Sequence, residues 1–238
     1  MSSNNDTKKN YVNVGLSQIF PCSYLNEQQE QLMVIQNQVD SESFDRLLAV
    51  GFRRSGNSIY KPKCPNCMAC QPIRIPVSDF SPSRRQRRTL KKNKDLVIKI
   101  SSELTSAYYP LYEKYISLRH QDSTMYPPTK TQFEQFLGAG WMKPKYIELY
   151  SAKGLIAVGV TDFLPSSLSA IYTFFDPMED KRSLGSLMIL IQCKLAMHFD
   201  KNFVYLGYQI DNNKKMNYKT AYKPYQVLSE QGWKTSEG

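Results

Sequence analysis

The sequence predicts an α+β fold, a mixed sheet flanked by helices, and two stretches predict it. In the first, residues 146–151, 155–163 and 170–175 are three runs rich in β-branched and aromatic side chains, the first two joined at the tight Lys153-Gly154 turn. Such runs form successive antiparallel strands linked by hairpins. In the second, residues 182–199 read as the clearest amphipathic helix in the chain and lead into residues 203–208, another strand-like run. Strand, helix and strand in that order make a crossover, which lays two strands parallel. With 238 residues, 41% hydrophobic and 12% aromatic, the chain can bury a core and has room for one large domain or two small ones.

The other elements follow in chain order. Residues 1–10 are polar and predict a frayed terminus, with order beginning near Tyr11. Residues 41–51 predict a short amphipathic helix, with Ser41 as its cap, Phe44, Leu47 and Leu48 on one face and Gly51 just past its end. Residues 58–61 and 73–77 read as strands, and Pro76 predicts that the second lies at a sheet edge. After the break at Ser81-Pro82-Ser83, residues 84–94 hold seven basic side chains and no acid, and residues 96–100 return to strand. Ser101 and Ser102 precede a helix over 104–119, and a shorter one follows over 131–139. A boundary near residue 100 divides an N-terminal region, 1–100, holding most cysteines and the basic run, from a C-terminal region, 101–238, holding the meander and crossover.

Composition narrows the function classes. The 31 Lys and Arg against 21 Asp and Glu leave a net charge of +10, which attracts polyanions. No window reaches the roughly 18 apolar residues of a membrane-spanning helix, and the N-terminus lacks the apolar core of a secretory signal. No membrane partner and a cytoplasmic location are therefore expected. Five cysteines, an odd number, make a poor disulfide framework.

Four constellations could carry chemistry. Cys64, Cys67 and Cys70 stand at i, i+3 and i+6, with Cys22 as a fourth thiol. Two readings stay open for them: ligands of one metal or iron–sulfur cluster, or small soft side chains packed in a turn. In the basic run, Arg84, Arg85, Arg87, Arg88, Lys91 and Lys92 could track the phosphates of a nucleic acid, or form a solvated helix face. Arg182-Ser183-Leu184-Gly185 sits at a helix start, where free N–H groups favour an anion and glycine permits close approach, although such a turn is also an ordinary helix start. Tyr208, Lys215 and Lys219 lie just beyond the carboxyl end of a strand, where ligands often bind and where tyrosines also simply pack. Cys193, alone on the long helix, reads as core.

The residues that carry a resemblance span both regions. Residues 60–77 around the cysteines, residues 80–88 and 93–96, and Cys22-Ser23-Tyr24-Leu25 resemble the N-terminal half of the arginyl/leucyl-tRNA–protein transferases. Phe175-Asp176-Pro177, Arg182-Ser183-Leu184-Gly185, Tyr205-Leu206-Gly207-Tyr208 and residues 215–219 resemble their C-terminal half. The compact length is similar to the bacterial, leucyl-transferring branch. Asn212-Asn213 departs from relatives that carry His or Cys there, so no catalytic group is assigned to it.

The resemblance implies an acetyltransferase-like (GNAT-like) mixed sheet with a smaller cysteine-containing N-terminal region. It also implies transfer of leucine from leucyl-tRNA to the N-terminal Asp or Glu of proteins, marking them for degradation in the N-degron pathway. An aminoacyl ester is already activated, so attack by an α-amine needs positioning, a mild base and oxyanion stabilisation. The expected roles are these: Tyr208 as proton relay or carbonyl donor and Lys215 as a second catalytic candidate; Arg74, with Lys219, for the acceptor carboxylate; Arg182 and Gly185 for the terminal phosphates of the donor; and residues 84–94 for the tRNA body. No cofactor is required; a metal or cluster would sit at Cys22, Cys64, Cys67 and Cys70. The alternatives are an arginyl donor, an acetyl-CoA transferase, which would need no basic run, or a tRNA-binding module without catalysis.

Overall fold

The computed structural model describes residues 12–236, so the terminus expected to fray over 1–10 lies outside the described residues. Near the N-terminus, β1 (Val14–Leu16), β4 (Leu32–Ile35), β5 (Arg53–Ser55) and β6 (Ser58–Pro62) form an antiparallel sheet in the order β1-β4-β6-β5, while β2 (Phe20–Pro21) and β3 (Gln29–Glu30) make a short ladder beside it. Helix α1 (Ser41–Ala49) covers this sheet through Phe44 and Leu48, which pack on Ile35 and Ile59. Its cap is Asp40, not Ser41: the Asp40 carboxylate accepts the Ser43 N–H at 2.7 Å. A carboxylate one residue upstream serves the same unpaired N–H groups and also suits the positive end of the helix dipole. Gly51 takes φ 94° just past the helix, as its position predicts.

The remaining elements are β7 (Gln71–Pro76), α2 (Arg84–Lys92), β8 (Val97–Ser101), α3 (Tyr109–Arg119), α4 (Lys130–Leu137), β9 (Lys145–Ser151), β10 (Gly154–Phe163), β11 (Ser167–Phe175), α5 (Leu184–His198), β12 (Phe203–Gln209), β13 (Gln226–Ser229) and β14 (Gly232–Thr235). They build a mixed eight-stranded sheet in the order β14-β13-β7-β12-β11-β10-β9-β8, flanked by helices. The β9-β10-β11 meander and the α5 crossover, which sets β12 parallel to β11, agree with the sequence pattern.

Three expectations are corrected. Strand β7 is not an edge; it lies between β12 and β13, and β14 and β8 are the edges. Pro76 is tolerated because β13 pairs only with Ile73 and Arg74, so Pro76 faces a single neighbour, Phe203, and needs no donor on its other side. The helix expected from 104 begins at Tyr109, because Pro110 fits only the first turn; residues 106–108 form a short 3-10 turn capped by Thr105. Helix α5 is not amphipathic: nine of its fifteen residues are buried, because it lies between the sheet and α2.

Period-2 alternation assigns the two faces of the sheet. Tyr146, Val158, Val160 and Phe174 meet α3 and α4 through Tyr112, Ile116, Phe133 and Leu137. Ile147, Leu149 and Ala157 point the other way, onto Leu187, Met188 and Ile191 of α5. Gly159 shares that second face, and a Cβ there would come within 2.4 Å of the Met188 sulfur, so its missing side chain is what lets α5 approach. Among the described residues no helix is long and apolar enough to cross a membrane.

Candidate active-site cleft

The parallel ladder between β11 and β12 is short. It joins Ser167, Leu168 and Ser169 to Phe203, Val204 and Tyr205, and then the strands part, β11 following β10 and β12 following β7. Each shifts register at the parting: Ile171 is an extra residue between the Thr161–Ala170 and Val160–Tyr172 pairs, and the β12–β7 ladder skips between Tyr205 and Tyr208, where Gly207 takes φ 86°. Bulges bend strands and re-aim side chains, and here they open a gap in the middle of the sheet.

Arg53 fills the apex of that gap. Its Cα partner across the β5–β6 ladder is Tyr60, so the two side chains share a face. Arg53 Nη2 donates to the Ala170 carbonyl at 2.5 Å, the first β11 carbonyl past the ladder to β12. A Cβ on Gly207 would lie 3.8 Å from Arg53 Nε, so the guanidinium rests against this glycine. Arg53 is 6% exposed, its Nη1 has no hydrogen-bond partner, and among the described residues it pairs with no carboxylate. The acid closest in influence, Asp162, is taken by Arg54 at 2.6 and 2.7 Å in a fully buried bidentate pair.

A second buried cation stands nearby. Lys219, in the 3-10 turn Asn217–Ala221, donates to the Tyr208 carbonyl and lies 3.8 Å from the Met216 sulfur. Burial, and then the charge of Arg53, bring its ammonium down to about 8. The Tyr208 hydroxyl donates to the Gly51 carbonyl at 2.8 Å, and burial pushes its pKa above the ordinary phenol range. The Tyr172 hydroxyl is buried without a partner, and burial raises its pKa as well.

Tyr60, Tyr172 and Tyr208 border a cleft of about 2100 Å³, and Arg53 and Lys219 stand behind them, outside its lining residues. Tyr60, Tyr172 and Tyr208 line its base, Tyr112, Met125, Phe136 and Ile171 form an apolar wall, and the turn between β13 and β14 closes another side. Cys22, Cys64, Cys67 and Cys70, all half-buried, also line it. Burial, and then Cys64, Cys22 and Cys67, push the Cys70 thiol up to about 12, so the four thiols share one neighbourhood. In this arrangement they do not fit a metal: among the described residues no three His, Cys, Asp or Glu side chains are gathered closely enough to hold one ion.

The other predicted residues lie apart from the base of the cleft. Arg74 is buried in an aromatic box, with its guanidinium carbon 3.5 Å from the Phe203 ring centroid and 4.0 Å from that of Trp233, and with Gln226 and Tyr205 as hydrogen-bond partners. Like Arg53 and Lys219, it is not among the cleft's lining residues. Lys215 is exposed and pairs with Asp122 at 2.6 Å. Arg182 donates to both oxygens of Asp95 at 3.0 and 2.9 Å and to Glu179 at 3.0 Å. It thereby fixes the loop before α5 to the loop after α2. Gly185 lies in the first turn of α5, whose start has no side-chain cap. Cys193 is core, as expected.

The basic run is helix α2. Ser83 and Gln86 form its capping box, so the helix starts cleanly despite lacking an acid in its first turn. Arg84, Arg85, Arg87, Arg88, Lys91 and Lys92 are all exposed, while Gln86 turns inward and donates to the Ala221 carbonyl at 3.1 Å. One cationic helix thus leans on the turn that carries Lys219. Sequence reasoning missed Arg53 and Tyr172, because an Arg-Arg pair and one more aromatic residue in a strand give no signal until the topology brings them together.

Comparison with known proteins covers nearly the whole chain. The family described as arginine-tRNA-protein transferase matches in two parts, its N terminus over residues 20–88 and its C terminus over residues 107–229. The aspartate/glutamate leucyltransferase of Shewanella sp. (strain MR-7) is 60% identical over 235 residues, 98% of this chain and 99% of that protein. The protein of the same name from Pseudoalteromonas atlantica is 47% identical over 220 residues, 92% of this chain and 95% of its own length. The solved structure of FemX, only 10% identical, matches the fold with a TM-score of 0.51 over 80% of this chain and 68% of that one.

Proposed function

The chain belongs to the arginine-tRNA–protein transferase family, and from that membership we propose that it transfers leucine from leucyl-tRNA to proteins beginning with Asp or Glu. The modified proteins are thereby marked for degradation in the N-degron pathway. The single observation that carries this reading is the near-full-length likeness to aspartate/glutamate leucyltransferases, which runs through both regions that line the cleft. Charged tRNA and newly exposed protein N-termini are the substrates, which puts the reaction in the cytoplasm. The short parallel ladder, parting strands and following helix support an acetyltransferase-like reading of the fold, with the cysteine-containing region as its smaller N-terminal part.

In the reaction the acceptor's α-amine attacks the leucyl ester carbonyl. The new C–N bond forms, the ester C–O bond breaks, the terminal ribose oxygen leaves, and the proton lost by the amine ends on that oxygen or on water. An α-amine with a pKa near 8 offers a useful neutral fraction at neutral pH, so the protein's task is chiefly positioning. The wall of Tyr112, Met125, Phe136 and Ile171 suits the leucyl side chain. Helix α2 offers its exposed cations to the tRNA backbone, and the uncapped N–H groups at Gly185 suit a terminal phosphate, with Arg182 holding that turn in place. Lys219 serves the acceptor. Tyr208, protonated and donating to the Gly51 carbonyl, is the candidate proton relay or carbonyl donor at the cleft's floor, and Lys215, paired with Asp122, is the second catalytic candidate. The reaction requires no cofactor, and no step passes through the cysteines.

The test is transfer of labelled amino acid from separately charged leucyl- and arginyl-tRNA onto peptides beginning Asp, Glu or Ala. Label from leucyl-tRNA on the Asp and Glu peptides alone is expected. Label from arginyl-tRNA alone would move the chain to the other branch, and label on no peptide would overturn the proposal.

A further inference from the structure

We propose that Arg53 and Lys219 together form the receptor for the side-chain carboxylate of the acceptor's first residue, and so decide that Asp and Glu are chosen. The inference rests on the transferase reading above and assigns a role to a residue, Arg53, that neither the motifs nor the family likeness singles out.

Three observations carry it. First, Arg53 and Lys219 are both more than nine-tenths buried, and among the described residues neither has a carboxylate partner. Two like charges under the same floor repel, and the closest acid in influence, Asp162, is consumed by Arg54. Buried charge without a counter-charge is costly, so this arrangement is suited to receive an anion. Second, Arg53 Nη1 has no partner although it is buried, whereas Nη2 is anchored on Ala170. The anchored nitrogen fixes the fork, and the free one is left for a ligand oxygen. Third, the place is the point where β11 and β12 part, just behind Tyr60 and Tyr208, which line the cleft's base, and Gly207 keeps a side chain out of it. The partnerless hydroxyl of Tyr172 stands on the same cleft and offers one more donor.

Arg74 is also buried and without a carboxylate partner, but it has no buried partnerless nitrogen, because its guanidinium is stacked on Phe203 and Trp233 and hydrogen-bonded to Gln226 and Tyr205. A carboxylate seated on Arg53 would hold the α-amine a fixed reach away, toward the apolar wall where the leucyl ester would lie. An Asn or Gln in first position would bring no charge to the dication and would leave its cost standing.

The experiment measures binding and transfer separately. Isothermal calorimetry on the full chain, without tRNA, compares an Asp-starting peptide with its Asn-starting twin for the wild type, Arg53→Gln and Lys219→Met. The wild type is expected to bind the Asp peptide at least tenfold more tightly, and both variants are expected to lose most of that preference. In transfer from leucyl-tRNA, Arg53→Gln should lower kcat/KM for the Asp peptide by about a hundredfold, mainly through KM, while affinity for leucyl-tRNA stays unchanged. If Arg53→Gln does not fold, Arg53→Lys keeps the charge and loses the fork, and a partial loss of preference is expected. A wild type that binds Asp and Asn peptides equally would overturn the proposal, as would folded variants that keep the full preference. A wild type that binds the Asp peptide selectively yet transfers nothing would instead sink the transferase reading and leave the receptor standing.

Discussion

Adjacent arginines of β5 face opposite ways and meet different fates: Arg54 is fully paired with Asp162, and Arg53 is left with an unmatched N–H. Lys219 sits beside the second of these, and its burial has a measurable consequence. Its pKa falls from 10.5 to about 8, so between these values the unfolded chain binds more protons than the folded one. Stability therefore rises with pH across that window, by up to about 3 kcal/mol, and below about pH 8 the penalty is constant. Urea unfolding at pH 7, 8, 9 and 10 should show this rise in the wild type relative to Lys219→Met; parallel curves would contradict it. The comparison with Lys219→Met removes the contributions of the other titratable groups around it, Arg53, Cys70, Tyr208 and Tyr218. At this scale the sequence singled out Lys219 as a candidate, because its motif lies beyond a strand end. It could not reveal Arg53, whose role depends on the carbonyl of Ala170, more than a hundred positions away.

Among the elements, α2 has the least ambiguous charge. All six of its candidate cations are exposed, and none is needed to cap the helix. Replacing Arg84, Arg85 and Arg88 with alanine should therefore leave the melting temperature nearly unchanged while weakening leucyl-tRNA binding about tenfold or more. The slope of log affinity against log salt should become shallower by about 2 to 3. Filter binding over a range of salt checks this, and an unchanged slope would remove α2 from the tRNA site. The sequence marked this helix by charge density, and the β9-β10-β11 meander by its β-branched runs. It misread α5 as amphipathic, because Gln192 is buried among apolar neighbours and donates to Thr161. It missed the β13–β14 hairpin, whose four-residue strands are too short for a periodic signal.

Across the whole molecule, β7 is the strand that ties the regions together. It follows the cysteine segment in sequence yet pairs with β12 and β13, so the cysteine-bearing wall and the parting of β11 from β12 belong to one cleft. The proline argument placed β7 at an edge because local sequence says nothing of where a distant strand ends, and β13 ends before reaching Pro76. The account makes this joint cleft a reader of charge on the acceptor's first residue. The most direct test is the ratio of kcat/KM for leucine transfer to two peptides that differ only in starting with Asp or Asn, whose side chains match in shape. A preference for Asp on the order of 10³ is predicted; equal rates for the two peptides would contradict the account.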